Sequence, residues 1–181
     1  MADIPIRQVA TKTIYRGRVV RLTQDTFKTG DGKSFRRETI QHPASVVIVP
    51  IAKNGGVVLI RQFRHALKRY IYEIPAGTSE AGEPLLRCAK RELAEEVGFQ
   101  AKRWKRLYEF YPAPGVSTER MVLYQAQGLS RLKKAAKKDA DEYITPTLVP
   151  ASKAVAMVRH NKIMDSKSII GILMGLERIR W

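Results

Sequence analysis

Residues 73–99 read EIPAGTSEAGEPLLRCAKRELAEEVGF, and within them the chain passes from strand rhythm to helix rhythm while gathering its carboxylates. Glu83-Pro84 opens a helix, since proline suits the first helical position. The helical period runs from Pro84 to Val97, and Gly98 stops it. At about 100° per residue, Leu86, Ala89, Leu93 and Val97 fall on one arc, the expected core face. Glu92, Glu95 and Glu96 fall on the neighbouring arc, at i, i+3 and i+4. Like charges so spaced cost about a few tenths of a kcal/mol per pair. Arg91 relieves part of this through Glu95, its i+4 neighbour. Glu83 lies off that arc and is expected to cap or support the helix start. On an arbitrary helix three such glutamates form a solvated acidic face. Here they border the core face and need a counter-charge, and hard divalent cations are held by carboxylate oxygens together with substrate phosphates.

Outward from this helix the chain is mostly strand. Residues 13–29, TIYRGRVVRLTQDTFKT, interleave β-branched and aromatic residues with polar ones, GDGKS reads as a turn, and FRRETIQHP as a second strand. Two apolar runs flank Asn54-Gly55-Gly56, a hairpin signal, and YIYEIP is a short strand closed by Pro75. Beyond the helix come KRLYEFYP and RMVLYQAQG, then a polar linker, RLKKAAKKDADE, a further strand, YITPTLVP, and two amphipathic helices, ASKAVAMVRHNK and SKSIIGILMGLERI. The order points to an α/β or α+β sandwich.

The 181 residues are enough for one domain with a proper core, and 44% apolar with 28% charged residues is the composition of a soluble globular protein. Cys88, the sole cysteine, excludes an intrachain disulfide and suits a reducing cytoplasm. No secretory h-region and no bilayer-length apolar run is present, so no membrane partner is expected. Lys and Arg number 33 against 17 acidic residues, a net charge of +16 that favours polyanionic partners. His42, His65 and His160 lack metal-ligand spacing, and Cys88 reads as packing rather than nucleophile. Trp104 reads as core or interface.

The spacing Gly77, five residues, Glu83, seven residues, then Arg91-Glu92-Leu93-Ala94-Glu95-Glu96-Val97-Gly98-Phe99 resembles the complete signature of the Nudix hydrolases. The resemblance continues through LIRQFR, YEIPAG, PAPGVSTE and DADEYI, which are similar to the branch that cleaves ADP-ribose and other nucleoside diphosphate sugars. It implies an α/β/α sandwich with a mixed sheet, preceded by an N-terminal antiparallel β-hairpin. Residues 1–42 would then form a dimerising element with strands exchanged between two subunits, and residues 43–181 the hydrolase domain. It also implies cleavage of a diphosphate bond, giving nucleoside monophosphate and sugar phosphate, with Mg²⁺ as the expected cofactor and Mn²⁺ as the alternative. An RNA 5′-end or dinucleoside polyphosphate hydrolase is the runner-up, and nucleic acid the less favoured partner.

Carried over position by position, the resemblance makes Glu92, Glu95, Glu96 and the backbone carbonyl of Ala76 metal ligands, with Arg91 orienting a glutamate. Arg37, Arg64, Glu73, Pro114 and Gly115 match substrate-binding positions, guanidinium suiting phosphate because it donates two parallel hydrogen bonds. Glu142 matches a loop glutamate that serves as general base or metal ligand, and Asp139 or Asp141 could take that role instead.

Overall fold

The computed structural model describes residues 4–133 and 143–176, and the chain falls into two compact units. The larger comprises Ala44–Phe110 and the chain from Met121 onward. Its centre is β4 (Ser45–Ile51), buried along its whole length, as expected of a near-continuous apolar run covered on both sides. β4 pairs in parallel with β9 (Met121–Arg131), from Ser45↔Met121 to Ile51↔Gln127. Around them lie β5 (Val57–Arg64), β8 (Phe99–Phe110) and β10 (Ile144–Val149), in the order β10-β5-β4-β9-β8. Two short strands complete the mixed sheet: β6 (Arg69–Glu73) on β5 and β7 (Ala76–Thr78) on β4.

The period-two alternation of the strands feeds two cores. Val46, Ile48, Val58, Ile60, Val122 and Tyr124 pack with Cys88, Ala89, Leu93 and Val97 of α1 (Leu85–Val97). Val47, Val49, Leu59 and Leu123 pack with Ala151 and Ala154 of α2 (Ala151–Arg159) and Ile172 and Leu176 of α3 (Ser166–Leu176). The unit is therefore an α/β/α sandwich. A fully buried Leu93 or Ile48 contributes about 1.5–3 kcal/mol through removal from water.

The turn at Asn54-Gly55-Gly56 forms as expected, with Ala52 N–H donating to the Gly56 carbonyl at 2.8 Å and Gly55 at φ 76°. The hairpin it closes is one pair long, Ile51↔Val57. Beyond that pair β4 is taken by β9 and β7, and β5 by β10 and β6, so tertiary partners replace the sequence neighbour.

The second unit is built from residues up to Pro43 together with Tyr111–Arg120. Where the sequence reads as a hairpin, the structure holds a three-stranded antiparallel sheet: β1 (Ile6–Arg16), β2 (Arg21–Thr29) and β3 (Ser34–Gln41). The stretch 13–29 is two strands rather than one, because the chain turns back after Arg16 and Gly17 N–H closes the bend on the Val20 carbonyl at 2.9 Å. Segment 111–120 joins this sheet through Ile40 N–H to the Val116 carbonyl, 2.8 Å, and Thr118 N–H to the Ile40 carbonyl, 2.9 Å. All eleven residues of β1 are exposed.

Candidate active site

The α1 helix starts one residue later than its sequence pattern: Pro84 is the N-cap, with φ −62° and ψ 133°, and Leu85 the first helical residue. Gly98 ends it in the left-handed region, φ 72°, a conformation that glycine adopts without steric cost. The arc it buries also differs from the expected one. Leu86 is 38% exposed, because the buried arc is rotated by about one residue: Leu85 packs against the core in its stead, and Cys88 takes a place in it. Glu92 and Glu96 do not flank the buried face but belong to it, at 8% and 2% exposure, while Glu95 stays half-buried.

Two backbone features receive those carboxylates. A Cβ on Gly77 would run into the Glu92 carboxylate, so the carboxylate keeps this position only against a glycine. Glu96 Oε2 accepts the Ala76 N–H at 3.0 Å. Arg91 spreads one guanidinium over three acids. It donates through Nη1 to Glu92 Oε1 at 2.7 Å and to Glu95 Oε2 at 3.0 Å, and through Nε and Nη2 to Glu83 at 3.1 and 2.9 Å. Glu83 makes no helix cap. It accepts from Arg91 and from the Glu80 N–H (3.1 Å), and Arg91 holds its carboxyl below the usual range. The bonds from Glu83 in turn raise Arg91 above the ordinary guanidinium value, against its burial.

The expected cluster of three converging carboxylates is not formed: among the described residues no three His, Cys, Asp or Glu side chains stand together as a ligand set. The physical reason is visible. Arg91 Nη1 bridges Glu92 and Glu95, while the Ala76 amide draws Glu96 to itself. The donor chemistry nonetheless fits a hard divalent cation, since three carboxylates on consecutive turns and the Ala76 backbone supply oxygen alone. Cys88 is buried beneath them, and burial, reinforced by the Glu92 charge, pushes its thiol up to about 12, so it is inert as a nucleophile.

Arg64 and Glu73 meet as a bidentate pair, Nε to Oε1 at 2.6 Å and Nη2 to Oε2 at 2.5 Å. Burial would raise the Glu73 carboxyl, but Arg64 and Lys167 more than offset it and hold it below the usual range. Glu73 thus binds Arg64 rather than presenting itself to solvent; it is completely buried. Its second cation, Lys167, was not singled out in the sequence. No spacing signals it, for it lies 94 residues away on α3.

In the other unit, Arg37, Pro114 and Gly115 line a cavity of about 280 Å³ with Ile6, Phe27 and Phe35. Phe27 and Phe35 stack with ring centroids 5.4 Å apart, and the Arg37 guanidinium lies 5.0 Å over the Phe35 ring. Trp104 packs edge-on to Tyr124 as a core residue. Glu142, Asp139 and Asp141 lie outside the described residues.

A mixed sheet between helices, with a loop–helix–loop that buries one glutamate against a backbone glycine and another against the preceding amide, defines a recognisable class. Residues 41–166 match the NUDIX domain, and this chain belongs to that family. It is 34% identical over 166 residues to the methanol dehydrogenase activator of Bacillus methanolicus, covering 92% of this chain and 90% of that one. It is 32% identical over 172 residues to the ADP-ribose pyrophosphatase of Bacillus subtilis (strain 168), covering 95% and 93%. Among solved structures, an ADP compounds hydrolase superposes with a TM-score of 0.84 at 22% identity over 95% of this chain and 92% of that one, a likeness of fold.

Proposed function

We propose that this chain hydrolyses the diphosphate bond of nucleoside diphosphate sugars, ADP-ribose foremost, to nucleoside monophosphate and sugar phosphate. The observation that carries the reading is the pairing of Gly77 with the buried Glu92 carboxylate beside Glu96 and Ala76, in a family member 32% identical over 95% of its length to an ADP-ribose pyrophosphatase. Glu92, Glu95, Glu96 and the Ala76 carbonyl hold Mg²⁺, with Mn²⁺ as the alternative. When bound, the metal neutralises the diphosphate and lowers the pKa of attacking water. Arg91 keeps Glu92 and Glu95 in register through its hold on Glu83. Arg64, positioned by Glu73, takes a phosphate or ribose oxygen. Arg37, like Arg64, contacts substrate phosphate or sugar, and Pro114 and Gly115 are further substrate-binding residues. Glu142 removes the proton from the attacking water.

Residues 1–42 act as a dimerising element and residues 43–181 as the hydrolase domain. Support comes from β1, an edge strand exposed along its length, with Ile6 at 58%, Ile14 at 50% and Tyr15 at 60%: an apolar edge of this kind is covered by a second copy. We take the chain to be cytoplasmic, as its free Cys88 suits, and among the described residues no helix is long and apolar enough to cross a membrane.

The test is formation of a monophosphate product, separated by chromatography, with Mg²⁺, from ADP-ribose, GDP-mannose, UDP-glucose, a diadenosine polyphosphate and a 5′-triphosphate RNA. ADP-ribose is expected to lead. Cleavage of the RNA alone, which the +16 charge would favour, overturns the reading. The base is tested separately: Glu142→Gln should slow turnover by more than about tenfold.

A further inference from the structure

We infer that Lys167 is a positioning residue for Arg64, setting the net charge and direction of the guanidinium that faces substrate. The inference rests on the reading of Arg64 given above. Lys167 Nζ binds Glu73 Oε2, the same oxygen that Arg64 Nη2 uses, and reaches Asp165 Oδ2 at 2.9 Å. The cluster therefore contains two cations and two carboxylates. Glu73 is completely buried and the Lys167 side chain 8% exposed, while Arg64, at 37%, is the member most open to solvent. Two of its nitrogens are spent on Glu73, and Nη1 has no partner among the described residues. The bonds to Glu73 raise Arg64 above its ordinary value, against burial, and the charges of Asp165 and Glu96 add to this.

Helix stability does not explain a lysine in this place. It is the second residue of α3, where the helix dipole opposes a positive charge, and burial opposes it again. The local frame is built to hold it nonetheless. Asp165 accepts the Ser168 N–H at 3.0 Å and its hydroxyl at 2.5 Å, capping the helix, and Ser168 Oγ accepts the Ile74 N–H at 2.9 Å. One helix start thus grips the Glu73 side chain through Lys167 and the backbone that follows through Ser168. By sharing Glu73, Lys167 keeps Arg64 from being fully neutralised by it. Without Lys167 the cluster is left one charge negative, next to where a diphosphate must sit.

The experiment compares wild type, Lys167→Met, Lys167→Arg and Arg64→Gln in Mg²⁺-dependent hydrolysis of ADP-ribose and in its calorimetric binding without added metal. Lys167→Met should raise KM and Kd by about tenfold or more with kcat within about threefold. Lys167→Arg should restore most of the loss, and Lys167→Met should add little in the Arg64→Gln background. A folded Lys167→Met with KM and Kd within about twofold of wild type, while Arg64→Gln raises both, overturns the inference alone. If Arg64→Gln also changes neither, the assignment of Arg64 falls and takes the inference with it. A wild type that neither binds nor cleaves ADP-ribose overturns both readings together. Should Lys167→Met fail to fold, Lys167→Gln, which removes the same charge but keeps a donor to Glu73, must raise KM and Kd or the inference is wrong.

Discussion

Two of the places where the described residues bury carboxylates, α1 and Glu73, are solved in opposite ways. Around α1, Glu83, Glu92 and Glu95 face one arginine and Glu96 faces a backbone amide, and all the partners come from a single stretch between Ala76 and Glu96. At Glu73 one carboxylate faces two cations, Arg64 nine residues away and Lys167 ninety-four. The first site is rich in negative charge and half-open through Glu95 and Arg91, the arrangement of a site that takes up a cation. The second is balanced and closed apart from Arg64, the arrangement of a fixed support. Excess local charge marks a place that binds, and matched charge a place that holds.

Breaking the first cluster should give the largest effect. Glu96→Gln removes a proposed ligand and should cost about three orders of magnitude in kcat with the fold intact by circular dichroism. Retained turnover would end the metal assignment. Gly77→Ala drives a methyl group into the Glu92 carboxylate, and the displaced ligand should cost about a hundredfold in kcat/KM.

The second cluster should break differently. Glu73→Gln leaves Arg64 and Lys167 short of a buried counter-charge and should destabilise the fold by about 3–5 kcal/mol, read as a lowered Tm and urea midpoint. The sign with pH follows from the depressed Glu73 pKa. Its stabilisation is full above the unfolded value of 4.5 and is lost as pH falls below that, through the lower folded value. Wild type should therefore lose stability on acidification in a step that the glutamine variant lacks. The smallest effect is at Cys88: with its thiol pushed up to about 12 and buried, it should resist iodoacetamide at pH 8 in the native protein and react once unfolded.

The same contrast explains how much could be read before the fold was known. The helix, its glycine stop, the i+4 bond from Arg91 to Glu95 and the sandwich class follow from spacing, since each depends on residues within a turn or two or on strand alternation. The position of Leu86 did not follow. Periodicity states which residues share an arc but not which arc the sheet covers, and here it is the one that begins at Leu85. The burial of Glu92 and Glu96 was likewise hidden, because it depends on β7 passing over α1 at Gly77. The single pair between β4 and β5 has the same origin: the turn is local chemistry, while strand partners are chosen by the whole sheet.

Local chemistry thus specified the carboxylate helix, its boundaries within a residue and the family to which it belongs, since 3.6-residue periodicity and turn preferences act over a few residues. Packing specified which glutamates are buried, which strands pair, and that a lysine in α3 supports an arginine in β5. A contact across a hundred residues leaves no spacing to recognise, and it exists only once the sheet and α3 have closed around it.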